Sequence, residues 1–182
     1  MISSTVATAR LNVKKNTGVP RQLLQDLKYN LVMRNVSSGI ALLNQHEYLF
    51  ESVGPEQPNS AEFVGCLAQW VDIGYGEPDL IEQLLARFPK EKRGRLSVND
   101  YLHLRMAEGL LALLRDHPDD ALRQFDLVLS MQEEIEDKEV VAIAHFWNAR
   151  CHRANWLRSS SRARCRRNRR AGSRCRWRIR RW

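Results

Sequence analysis

Five histidines and four cysteines are the residues of this chain best suited to metal binding or nucleophilic chemistry. His145 and His152 stand seven apart, on one face of any helix they share, with Cys151 beside the second. Two imidazoles so placed can ligate zinc, but a site needs three or four ligands and no third falls at matching spacing. His46, His103 and His117 belong to no recognisable partner motif. Cys66, Cys151, Cys165 and Cys175 lie far apart with no CxxC pair, which reads as reduced, incidental thiols. GxGxxG, P-loop, HExxH and GxSxG signatures are all missing. In "DHPDD", Asp119 and Asp120 read as acids favoured by a helix N-terminus. The expectation is no enzyme, no metal and no cofactor.

The densest chemistry is cationic. Between Arg158 and Trp182 the chain carries twelve arginines, no lysine and no acid. Arginine interleaved with tryptophan suits phosphate contacts and base stacking, which makes Arg166, Arg167, Arg169, Arg170 and Trp177 candidate nucleic-acid contacts. A segment selected only for charge would usually admit lysine, however. Arg, Ser, Ala, Cys, Gly and Trp are also what G+C-rich codons yield out of frame, so the stretch after Arg153 reads as a frame-shifted product as well. The tail holds twelve of the 29 basic residues and none of the 21 acids, which leaves the rest with 17 against 21. That body gives no electrostatic reason to expect a polyanion.

No run approaches the roughly 18 apolar residues of a membrane span. "MISSTVATARLNVKKNTGVPRQ" has no apolar core for a secretory signal. Its lack of acids before Asp26 is shared by organellar transit peptides and by disordered N-termini. A cytoplasmic protein without membrane contact is expected.

Helical periodicity must position whatever function there is. Leu23, Leu24, Leu27 and Leu31 recur at three-to-four spacing after Pro20. "NVSSG" (35–39) reads as a break and "IALLNQHEYLF" (40–50) as a resumption. "SVGPEQPNS" (52–60) is a loop, and Ser60 is expected to cap a helix with Phe63, Val64, Leu67, Ala68 and Val71 on one side. "GYGEP" (74–78) turns into "DLIEQLLARF" (79–88), capped by Asp79. A helix from Asn99 or Asp100 to Leu114 is apolar over most of its circumference, with only Arg105, Glu108 and Arg115 charged, so it should be sandwiched. "RDHPDD" (115–120) then turns, helices follow at 121–135 and 140–157, and strand signals are nearly lacking.

These helical pairs repeat. Ala68, Gly109 and Ala149 fall in register at offsets of 41 and 40, with Leu80 or Ala121 twelve residues later and Leu84 or Phe125 four beyond. "GLLALLRDHPDDALRQF", with Gly109, Ala121 and Phe125, and Pro89 closing the earlier unit, resembles the tetratricopeptide repeat family over about 61–153. The family's period is about 34, shorter than here. Longer arrays of this kind are attached to some bacterial transcriptional regulators and occur among HEAT-type repeats, so a fragment of a bacterial regulatory protein is one expectation. Arg105, Glu108, His145 and Asn148 stand where the family prefers larger apolar residues. "KKNTGVPRQLLQDLK" (14–28) in turn resembles the turn and recognition helix of helix-turn-helix proteins, behind a short, β-branched "MISSTVATARLN".

The repeat resemblance implies an all-α, right-handed alpha-alpha superhelix at 20–157, between a disordered segment at 1–19 and a disordered, Arg-rich tail at 158–182. It implies a scaffold binding a protein or peptide on a concave face with Gln69, Asp72, His103, Met106, Leu110, Leu113, Ile143, Phe146, Arg150 and Arg153. For Leu110, Leu113 and Phe146 the plainer expectation is a place in the core. Ser161 and Cys165 would hold the anchoring places of the third closing helix, and no apolar stripe surrounds them. Phe146 and Trp156 should therefore stay exposed on a C-terminal edge that self-associates. Nucleic-acid binding through the tail is the alternative function.

Overall fold

In a computed structural model that describes residues 18–133 and 138–170, every regular element is a helix. The α-helices are α1 (Arg21–Val32), α2 (Val36–Gln45), α3 (Ser60–Asp72), α4 (Pro78–Ala86), α5 (Val98–Leu114), α6 (Pro118–Ser130) and α7 (Lys138–Arg170). Short 3-10 turns follow α2 at Glu47–Glu51 and α4 at Lys90–Arg95. The odd-numbered helices pack in order, α1 on α3, α3 on α5 and α5 on α7. The even-numbered helices pair with them, α2 with α1, α4 with α3 and α5, and α6 with α5 and α7. Apolar spacing dictates this arrangement. Leu23, Leu24 and Leu27 put one face of α1 in the core, whereas α3 and α5 are buried on most sides. A single helical pair cannot cover such helices, so the neighbours must stack.

Element boundaries depart from the sequence reading for local reasons. Ser37, Ser38 and Gly39 do not break the chain; the break is at Arg34, with φ 55°, and α2 already contains Gly39. The glycine serves packing, because a Cβ there would lie 2.6 Å from Trp70 Cζ3 and closer still to Cζ2 and Cη2. Asn59, in the left-handed region at φ 61°, precedes α3 in the place expected of Ser60, and its amide donates to the Val19 carbonyl at 2.8 Å. Proline opens α4 and α6 at Pro78 and Pro118, where its fixed φ suits the first helical position. Asp79 lies inside α4, and α6 starts within the predicted turn. Ser97 caps α5 by accepting from the Asp100 backbone N–H at 3.1 Å.

Both ends of the predicted domain move outward. Val19, assigned to the N-terminal segment, is buried, and its N–H donates to the Pro58 carbonyl at 3.2 Å. The last helix runs past Leu157 to Arg170 instead of giving way to a disordered tail there. Arginine is a good helix former, and Asn155 and Arg158 anchor α7 to the start of α6 through Asp119 and Asp116. Residues 1–17 and 171–182, Trp177 among them, lie outside the described residues.

Gly109 serves the packing of α5 against α6. A Cβ on Gly109 would stand 2.5 Å from Phe125 Cε1, so the small residue is what lets α6 approach α5. Ala68 and Leu84 are buried in the first unit. Ala149 is exposed, and among the described residues no closing helix follows α7. Phe146 and Trp156 are accordingly 54% and 64% exposed.

Candidate functional site

Lys28 of α1 joins three helices. Its ammonium lies 2.8 Å from Glu62 of α3 and 2.8 Å from Glu139 at the start of α7. Burial pulls the ammonium toward a lower pKa, but the hydrogen bonds with Glu139 and Glu62 outweigh it and hold Lys28 above the ordinary lysine range. A raised lysine pKa gives stability that is complete below the unfolded value of about 10.4 and fades only as pH climbs through the folded one. The ion pairs of the pinch therefore keep their charges at neutral pH. Beneath it, His103 and Met106 help to line a void of about 10 Å³, room for one water at most.

Beyond this pinch, α1 and α7 enclose a groove of about 630 Å³. Leu31, Val32 and Val36 form one wall, Ala142, Ile143, Phe146 and Trp147 the other, and Gln69, Asp72 and Ile73 at the end of α3 form the floor. Periodicity alone brings Ala142, Ile143, Phe146 and Arg150 to one side of α7. Arg150 is fixed twice, 2.8 Å from Asp72 and 4.5 Å above the Trp147 ring. Arg34 also lines the groove. The groove thus combines aliphatic and aromatic walls with polar and charged residues. That composition suits hydrophobic side chains better than it suits a reaction.

The expected concave-face residues separate. Phe146 and Arg150 line the groove with Gln69, Asp72 and Ile143. His103 and Met106 are buried below it, Leu110 is wholly buried, and Leu113 is packed against the core. Arg153 is exposed and outside the lining. Arg166, Arg167, Arg169 and Arg170 fall in the last turns of α7. Cys151 faces the core while His145 and His152 face solvent, and among the described residues no three His, Cys, Asp or Glu converge on a metal position. None of the described helices is long and apolar enough to cross a membrane. The wall supplied by α1 was invisible in the sequence, since Lys28 and Glu139 are 111 residues apart.

Protein-family models, curated proteins and solved structures give no match to this chain. Function is therefore read from the groove and from the chemistry around it.

Two thiols, Cys66 and Cys151, are buried there. Burial pushes the Cys66 thiol up to about 12, and burial pushes Cys151 up to about 11. Alkylation proceeds through the thiolate. Treatment of the native protein with iodoacetamide, followed by peptide mapping, should leave both residues unmodified until denaturant is added. Modification of either at the rate of a free thiol would contradict the burial of that helix.

Proposed function

We propose that this chain is a non-catalytic, tetratricopeptide-like helical scaffold whose α1–α7 groove receives an apolar segment of a partner protein. The groove itself carries the reading. Its volume falls within the roughly 300–1,000 Å³ of built ligand sites. Its walls are aliphatic and aromatic, and Val32, Ile73 and Phe146 remain exposed there at 77%, 39% and 54%. Exposed apolar residues gathered in one groove are the usual mark of a docking surface. Lys28 is paired with Glu62 and Glu139 and Arg150 with Asp72, so much of the groove's charge is neutralised within the fold and the aliphatic and aromatic walls are left for a hydrophobic segment.

Selection of a displayed library of random peptides against the full chain tests this. Enriched peptides should carry large apolar residues and lose at least tenfold in affinity, about 1.4 kcal/mol, for the V32D/I73D variant. Both substitutions fall on exposed groove residues away from α7, so the fold should survive. Enriched peptides that bind the variant equally well, or no enrichment at all, would overturn the reading.

A further inference from the structure

The solvent side of α7 carries a second pattern, which starts at the groove wall and runs on well beyond it. Ala142, Phe146, Ala149, Arg153 and Trp156 recur at alternating steps of four and three, and all five are exposed. Val140, Ala144, Trp147 and Cys151 recur at the same steps on the opposite side, and they are buried in the core. One helix therefore has two seams of coiled-coil spacing, and the described residues cover only one of them. The open seam runs small, large, small, large, large, with Ala149 at its centre. Leu157, 49% exposed, borders it.

We propose that this seam pairs with the same seam of a second copy of the chain, α7 antiparallel to α7, with Ala149 on the two-fold axis. Charge fixes the direction. Seven arginines lie between Arg158 and Arg170, whereas the sequence leading into α7, "EEIEDKE" at 133–139, holds five acids. A parallel pair would set arginines beside arginines and acids beside acids. The antiparallel pair sets the arginine-rich end of each helix against the N-terminal end of the other, the end that follows the acidic sequence. The same register matches shapes. Position 142 lies opposite 156, so Trp156 covers Ala142 of the partner subunit, and Ala149 at the axis allows the two backbones a close approach. Like meets like only at an alanine.

The full-length chain in sedimentation equilibrium should be a dimer whose affinity falls with added salt, as screened charge pairing requires. Ala149→Glu would place two carboxylates together on the axis and should yield monomers with an unchanged helical circular-dichroism spectrum. Orientation is read by cysteine cross-linking in a C165S/C175S background. A149C should form a disulfide-linked dimer on oxidation, A142C should not link to itself, and A142C mixed with W156C should link. A monomer throughout the accessible concentration range would overturn the proposal. So would a dimer unaffected by A149E, or self-linking of A142C, which marks a parallel pair.

Discussion

Replacing Glu108 with alanine is expected to cost the fold about 3 kcal/mol, the low end of the range for stripping one partner from a buried ion pair. This carboxylate serves two arginines. Its Oε1 accepts from Arg93 at 2.6 Å and its Oε2 from Arg105 at 2.8 Å. The Arg93 side chain is only 8% exposed and also donates to the Phe88 carbonyl at 2.9 Å, which ties the 3-10 turn after α4 back onto α5. Arg105 is held by the Tyr101 hydroxyl at 2.8 Å and lies 4.8 Å over the Tyr101 ring. Burial works against the Arg105 charge, yet the hydrogen bond to Tyr101 and the charge of Glu108 more than offset it, and its pKa stands above the ordinary arginine value. Without Glu108 both cations keep their desolvation and lose their counter-charge. Urea unfolding should show the loss as a lower midpoint at constant slope. Glu108→Gln, which keeps the shape and an acceptor, should cost less. Arg105→Ala should be milder than E108A, since Glu108 then still neutralises Arg93. A loss for E108A well below 1 kcal/mol would mean that the pair is solvated and that Arg93 does not need it.

The same cluster shows what the sequence could and could not reveal. The charged stripe of α5 was visible as Arg105 and Glu108, three residues apart on a helix that is otherwise apolar. Their partner was not, because Arg93 lies in "PKEKRGR", where every residue is polar or turn-forming and the stretch reads as linker. Stripes of leucine placed α1, the proline and glycine clusters placed the loops, and the buried small residues Ala68 and Gly109 were found from their offset alone. Helix periodicity is local and survives in the sequence. The groove is not local. It depends on α1 crossing α3 to reach the start of α7, and nothing in "RQLLQDLKYNLV" marks Lys28 as the residue that meets Glu139. Leu110 and Phe146, both large apolar residues expected on the concave face, illustrate the remaining ambiguity. One is wholly buried and the other more than half exposed, because among the described residues no further helix covers that side of α7.

Gly39 was misread for a related reason, and it carries the second large prediction. Glycine in a run of serines reads as a helix break, yet here it is an interior helical residue buried beneath Trp70. Alanine at this position should gain about 1 kcal/mol of intrinsic helix propensity. Its Cβ would also run into the outer atoms of the indole, Cζ3 at 2.6 Å and Cζ2 and Cη2 closer. Trp70 is 0% exposed and cannot swing aside, so α2 must lift from α3 or the indole must leave its rotamer. Overpacking of this kind costs about 1–3 kcal/mol, and the rigidity of the indole puts Gly39→Ala near the upper figure even after the propensity gain. The clash can be relieved from the other side. Trp70→Phe shortens the ring at the edge that Gly39 accommodates, and alone it should destabilise by leaving a cavity. In that background G39A should become neutral or stabilising, because the new methyl occupies the vacated space while the propensity gain remains. The two substitutions therefore couple with a sign that lost contacts alone would not produce. Thermal and urea unfolding of the wild type, both single variants and the double variant measure that coupling directly. If G39A cost the same with Trp70 in place as it does in the W70F background, α2 would not rest on this indole, and the seating of α1 and α2 beside the groove would have to be redrawn.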